Sequence, residues 1–160
     1  MIFIVEGADG SGKSTLIQIL SDYGMTFKIS RAVKNQYRLW SDLMRVSLER
    51  NVNFIADRCP LTDYVYRMSE GKRSEYTIDE LIKMFKTAQL IYCETDTQFQ
   101  DSILRGEDFV TDFNMAKTIS DTYKYVLKIL EQEGVIVHRY NWKTDDVNEL
   151  LKNLNLVKLH

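Results

Sequence analysis

One short run constrains this chain more than any other. Gly7-Ala8-Asp9-Gly10-Ser11-Gly12-Lys13-Ser14-Thr15 fits the pattern G-x-x-x-x-G-K-[ST] in full. It follows an apolar segment, Ile2–Val5, and opens a stretch with Leu16, Ile17 and Leu20 on one helical face. A strand that turns through glycines into a helix lets successive backbone N–H groups converge on one point. The first helical turn adds free N–H donors and the positive end of the helix dipole. The segment is therefore expected to bind the phosphates of a nucleoside triphosphate through Gly7, Asp9, Gly10, Ser11, Gly12, Lys13, Ser14 and Thr15. Lys13 would face the β and γ phosphates, and the Ser14 hydroxyl would be a Mg²⁺ ligand. The competing reading is a glycine-rich turn that matches by chance, which the flanking strand and helix disfavour.

The rest of the chain alternates apolar strands with amphipathic helices. Strands are expected at Ile2–Val5, Met25–Ile29, Asn53–Ala56, Leu90–Cys93 and Val135–His138. Helices are expected over Lys13–Tyr23, Asn35–Arg50, Leu61–Met68, Phe99–Leu104, Asn114–Gln132 and Asp145–Leu156. A further helix should start at Thr77, because Thr77-Ile78-Asp79-Glu80 has capping-box spacing. Gly134 should end the long helix in a left-handed conformation. Strands separated by helices need crossover connections, so the fold class is α/β, three layers with a five-stranded parallel sheet. The chain has 160 residues, enough for one domain over 1–160. On such a sheet ligands sit at the carboxyl ends of the strands. That restricts functional candidates to Gly7–Gly12, Arg31, Asp57–Arg58, Glu94–Asp96 and Asn141.

Composition removes several classes of partner. The net charge is −2, which argues against a nucleic-acid partner or a membrane surface. No apolar run approaches the ~18–20 residues of a membrane span, and the start MIFIVEG lacks a signal peptide's basic region. Two cysteines, Cys59 and Cys93, are too few for a disulfide scaffold and suit a reducing, cytoplasmic compartment. Arg58 beside Cys59 could in principle activate the thiol, though a small residue at a strand end is the plainer reading.

Two further groups carry candidate chemistry. Asp57-Arg58 closes the third expected strand. A carboxylate there can orient Mg²⁺ through water or accept a proton, and an arginine there can hold an acceptor phosphate in two hydrogen bonds. A structural ion pair is the alternative. Asp9 is an acid inside a loop built for phosphate. It either contacts the acceptor, or is a solvated turn residue.

Beyond these local readings, Phe3-Ile4-Val5-Glu6-Gly7-Ala8-Asp9-Gly10-Ser11-Gly12-Lys13-Ser14-Thr15 resembles the opening of thymidylate kinases. Phe54-Ile55-Ala56-Asp57-Arg58 followed by Thr62-Asp63-Tyr64-Val65-Tyr66 is similar to that family's Asp-Arg segment and next helix. Leu90-Ile91-Tyr92-Cys93 with Arg105-Gly106-Glu107-Asp108, and Ile119 to Leu130 with Tyr123, resemble its fourth strand, lid and following helix. The likeness spans nearly the whole chain, although only the phosphate loop is specific by itself. It implies a P-loop nucleotide-kinase fold, ATP and Mg²⁺ as co-substrates, and a deoxynucleoside monophosphate such as dTMP as acceptor. By position it implies that Lys13, Asp57, Arg58 and Arg105 are catalytic, Arg105 from a lid over about 105–113. Ser14 and Asp57 would serve the metal, and Asp9, Arg58 and Tyr66 the acceptor.

The chain also departs from that pattern. It is shorter than most members, in which it is similar to bacteriophage-encoded kinases. Ser30-Arg31-Ala32-Val33 stands where the family has an acidic, proline and glycine segment; the loop does not match residue by residue, and Arg31 is its candidate for an acceptor-facing charge. The loop has no arginine of its own, and the lid offers one. Lys117 or the group Arg67, Lys72 and Arg73 could assist, or be a solvated basic surface. Tyr37 and Trp40 could stack on the acceptor base, with core packing the stronger alternative for at least one of them. A homodimer is one assembly the resemblance allows, with no helix face in the sequence marking it.

Three other activities compete. A deoxynucleoside kinase would need Asp57 or Asp9 as base for a sugar hydroxyl. A kinase acting on a modified base in DNA would need a polymer site, against the acidic balance. A non-catalytic nucleotide-binding protein would have less reason to keep Lys13 and Arg58. A GTPase is disfavoured, since Glu94-Thr95-Asp96-Thr97 stands where its guanine-reading Asn-Lys-x-Asp would be.

Overall fold

A computed structural model describes residues 1–28, 36–95, 100 and 112–156, with only the backbone of 36 and 37. Its elements in chain order are β1 (Ile2–Glu6), α1 (Lys13–Leu20), β2 (Met25–Phe27), α2 (Gln36–Arg50), β3 (Phe54–Asp57) and α3 (Pro60–Ser69). They continue as α4 (Ile78–Phe85), β4 (Ala88–Cys93), α5 (Phe113–Gln132), β5 (Val137–Tyr140) and α6 (Val147–Asn153). The five strands form one parallel sheet in the order β2-β3-β1-β4-β5. The expected three-layer α/β architecture is what the chain adopts.

Alternation along the strands assigns each residue to a layer. Ile2 and Ile4 of β1 face the cluster built by α2, α3, α4 and α5, with Trp40, Leu61, Val65, Leu81, Tyr123 and Leu127 among its members. Phe3 and Val5 face the opposite cluster, where Leu16 and Leu20 of α1 meet Leu150 and Leu151 of α6. Both faces of β1 are covered, which is why its sequence is a continuous apolar run rather than an alternating one. Alternation also puts Glu6, the last residue of β1, on the side of α3 and α5.

Local chemistry sets the boundaries. Thr77 and Glu80 form the reciprocal capping box at the start of α4. Gly134 takes φ 86° just past α5. The last strand begins two residues later than the sequence suggests, at Val137, and β2 ends at Phe27 rather than Ile29. The helix expected over 99–104 lies outside the described residues, apart from a helical Gln100.

β1 sits at the centre of the sheet, with β3 and β2 on one side and β4 and β5 on the other. The winding direction therefore reverses across β1, and the crevice at its carboxyl end is where an open α/β sheet takes ligands.

Candidate functional site

The glycine-rich loop leaves the carboxyl end of β1 and enters α1 at Lys13. Gly7, Gly10 and Gly12 have φ of 144°, 75° and 87°. Gly7 is also packed too closely for a side chain: a Cβ there would lie 2.3 Å from the Cys93 carbonyl oxygen. At Gly12 an added Cβ would lie 2.4 Å from Cδ1 of Trp142, so the indole rests directly on the loop.

α1 has no side-chain cap and no acid in its first turn. By contrast, Cys59, Thr77, Asp112 and Asp146 each cap a helix with their own side chain. The first-turn amides of α1 are thus left for an outside acceptor, the arrangement that suits phosphate oxygens. The Ser11 hydroxyl is buried with no hydrogen-bond partner among the described residues, which also fits a loop shaped for an added oxyanion.

Lys13 is 8% exposed and curls back so that Nζ donates to the Ala8 carbonyl at 2.9 Å. Burial, followed by the nearby Arg58 charge, pulls its pKa from 10.5 down to about 8.

β3 brings the second half of the site. Val5 pairs with Asp57, so Arg58 lies beside the exit of β1. The Arg58 N–H donates to the Val5 carbonyl at 3.0 Å, and its backbone is left-handed at φ 69°. A non-glycine residue held there stores strain, which concentrates at functional positions. The guanidinium reaches across to the loop, with Nη2 at 2.6 Å from Asp9 Oδ1. The two side chains are only 20% and 15% exposed. Burial works against the Arg58 charge, yet Tyr123, Glu6, Tyr66 and Asp9 outweigh it and hold its pKa above the ordinary value. Burial and Asp9 raise the Tyr66 phenol, which also feels the Arg58 charge. Asp9, Lys13, Arg58 and Tyr66 therefore form one cluster beside the carboxyl end of β1.

Other candidates fall elsewhere. Trp40 is corrected from base stacking to core packing: it is 1% exposed, with its ring 5.4 Å from that of Phe27. The side chain of Tyr37, and Arg31, Asp96 and Arg105 entirely, lie outside the described residues, as does most of the expected lid. Asp57 pairs with Lys28 at 3.2 Å and stays partly exposed, while Ser14 is exposed at the start of α1. These two could serve a nucleotide-bound Mg²⁺, which takes most of its ligands from phosphate and water. No group of three or more His, Cys, Asp or Glu side chains suited to an all-protein metal site occurs among the described residues.

The Arg67, Lys72 and Lys117 side chains pair locally with Asp63, Glu70 and Asp121, as a solvated surface does. Cys59 is not activated by its neighbour, since burial and Glu6 push its thiol well above the ordinary range. A separate cavity of about 370 Å³ lies at the opposite, amino end of the central strands, lined by Met1, Asn53, Gln89 and Leu154 among others, and takes no part in this cluster.

Sequence reasoning missed two neighbours of the site. Trp142 sits just after β5 and carries no motif. Glu6 belongs to the opening segment but has no signal of its own beyond a charge closing an apolar strand.

No protein-family model matches the chain, and no curated protein does. Solved structures do. The YorR protein of Bacillus subtilis, in complex with phosphorylated GDP, superposes over 97% of this chain and 94% of its own, with TM-score 0.71 and 18% identity. A deoxyadenosine kinase from M. mycoides with bound dCTP covers 97% of this chain and 99% of its own, with TM-score 0.63 and 16% identity. This chain has the P-loop nucleotide-kinase fold. A thymidylate kinase from Ehrlichia chaffeensis, at TM-score 0.58 and 13% identity over 98% of both chains, shares it. No helix among the described residues is long and apolar enough to cross a membrane.

Proposed function

We propose that this protein transfers the terminal phosphate of ATP to a deoxynucleoside monophosphate, dTMP or a related pyrimidine nucleotide, giving the diphosphate. The observation that carries the reading is the Arg58 guanidinium reaching into the phosphate loop, 2.6 Å from Asp9 and close enough to depress the Lys13 pKa. One cation serves the donor's terminal phosphates and the other the acceptor's phosphate, and the two lie beside one another. The kinase fold shared with the neighbours above supports phosphoryl transfer to a nucleotide.

In this scheme an acceptor phosphate oxygen attacks the γ-phosphorus in line. The bond to the β–γ bridging oxygen breaks, a new P–O bond forms, and ADP leaves. An acceptor phosphate is already ionised at neutral pH, so no strong base is required. The chain's work is positioning and charge stabilisation. The α1 amides and Lys13 hold the triphosphate, Arg58 holds the acceptor phosphate, and Asp9 steadies Arg58 or takes an acceptor sugar hydroxyl. Mg²⁺, served by Ser14 and by Asp57 through water, would neutralise charge on the β and γ phosphates. Arg105 is proposed to cover the transferring group.

The deoxyadenosine kinase neighbours favour one second reading, transfer to a deoxynucleoside hydroxyl with Asp57 as base. Incubating the protein with ATP and Mg²⁺ against deoxynucleosides and their monophosphates in parallel tests both. Diphosphate formation from a pyrimidine monophosphate is expected. Turnover of nucleosides alone would establish the second reading, and turnover of neither class would refute both.

A further inference from the structure

Glu6 has no place in the scheme above, yet it is the most completely enclosed charge in the site, at 0% exposed. Its carboxylate accepts from three residues. The Cys59 N–H reaches Oε1 at 2.7 Å, the Thr62 hydroxyl reaches Oε2 at 2.8 Å and Oε1 at 3.0 Å, and the Tyr123 hydroxyl reaches Oε2 at 3.1 Å. A buried carboxylate without such partners would be strongly unfavourable, so the set works as a unit. Those donors come from the start of α3 and the middle of α5, the two elements that alternation along β1 places over Glu6.

The bonds bracket a single residue. Arg58 is anchored on one side by its own N–H on the Val5 carbonyl and on the other by the Cys59 N–H on Glu6. Between these anchors its backbone is left-handed, at φ 69°. An unrestrained arginine would leave that region for the broad β or α basins. The same two residues of β1 lead directly into Gly7.

We propose that Glu6 is a positioning residue, whose carboxylate clamps the corner after β3 so that the Arg58 guanidinium stands over the phosphate loop. The proposal rests on the assignment of Arg58 to the acceptor phosphate. A charge is better suited to this than an amide, because an ionised carboxylate accepts from all three donors at once. In Glu6→Gln one acceptor oxygen becomes an NH₂ donor, so either the Thr62 and Tyr123 hydroxyls must turn to accept or the Cys59 N–H loses its partner.

A double-mutant cycle in the full chain tests it. Glu6→Gln should lower kcat/KM for the acceptor about tenfold or more, with KM for ATP changing less than about twofold. In an Arg58→Lys background the same change should cost under about twofold, because the group it positions is already gone. An equal loss in both backgrounds, or an equal rise in both KM values, overturns the proposal. Should Glu6→Gln not fold, Tyr123→Phe removes one donor at nearly constant shape and is expected to show the same pattern at about threefold.

A second readout needs no turnover. The Arg58 Nε–H resonance, identified by its loss in Arg58→Lys, should be sharp in the native protein. In Glu6→Gln or Tyr123→Phe it should shift and broaden. An unchanged resonance overturns the positioning role. If no acceptor is phosphorylated by the native protein, the functional reading fails, and this resonance still decides the role of Glu6.

Discussion

Single residues decide whether the loop can hold phosphate at all. Lys13→Ala should abolish phosphoryl transfer, by at least ~10³-fold, while far-ultraviolet circular dichroism stays native, because it removes a charge meant for the transition state. The pKa of about 8 adds a pH signature. Above that pH the unliganded ammonium loses its proton, and a bound triphosphate favours the charged form, so binding must take up a proton. Affinity for ATP should fall as pH rises from 8 to 10, and the calorimetric binding enthalpy should depend on the buffer's ionisation heat over that window. Stability has the opposite trend from this group. Its folded pKa lies below the unfolded value, so the unfolded chain binds more protons between about 8 and 10.5, and the penalty for burying Lys13 fades as pH rises through that range. The two tight glycines should also differ. Gly7→Ala drives a Cβ into the Cys93 backbone at φ 144°, which cannot yield, and should cost about 1–3 kcal/mol or more. Gly12→Ala meets a half-exposed Trp142 ring that can move. It should therefore lose less stability by urea denaturation than Gly7→Ala, even if nucleotide affinity suffers in both.

The helices differ in how their first turns are satisfied. α4 satisfies its own first turn through Thr77 and Glu80, and α1 does not. Thr77→Ala should cost about 1 kcal/mol in urea melts and leave ATP binding unchanged, since it removes a cap from a helix remote in chain position from the loop. Adding ATP with Mg²⁺ should raise the melting temperature of the native protein. At a hundred times Kd the gain is about 2.7 kcal/mol. That gain should be much reduced in Lys13→Ala. Most elements could be read from spacing alone: the capping box, the amphipathic stripe Ile119, Tyr123, Val126, Leu127 and Leu130, and the glycine that ends α5. Trp40 could not. Its position on α2 suits either the core or a ligand, and only the neighbouring Phe27 ring and the packed sheet face show that it is a core residue.

Across the whole molecule, one parallel sheet brings together residues from three separate stretches of sequence. Leu127 illustrates what holds that arrangement. It is fully buried where α5 covers the sheet, and Leu127→Ala should cost about 2–5 kcal/mol by chemical denaturation, through lost burial and the cavity left behind. The glycine-rich turn into α1 was legible in the sequence because its geometry is local: glycines, a lysine and a helix start lie within nine consecutive residues. Asp57-Arg58 was half legible, as a charged pair closing an apolar strand. That Arg58 reaches Asp9, 49 residues away in sequence, depends on β3 lying beside β1, and strand order is set by how helices pack rather than by the strands themselves. Glu6 was the least legible. A lone glutamate after a strand is ordinarily a solvated group, and only the convergence of Cys59, Thr62 and Tyr123 makes it a buried one. Periodicity along the chain was enough to give the layers and to put a glycine-rich turn between β1 and α1, since both are properties of neighbouring residues. Tertiary structure alone decided which distant charges meet, because hydrogen bonds and ion pairs act over a few ångströms in space and take no account of separation in sequence.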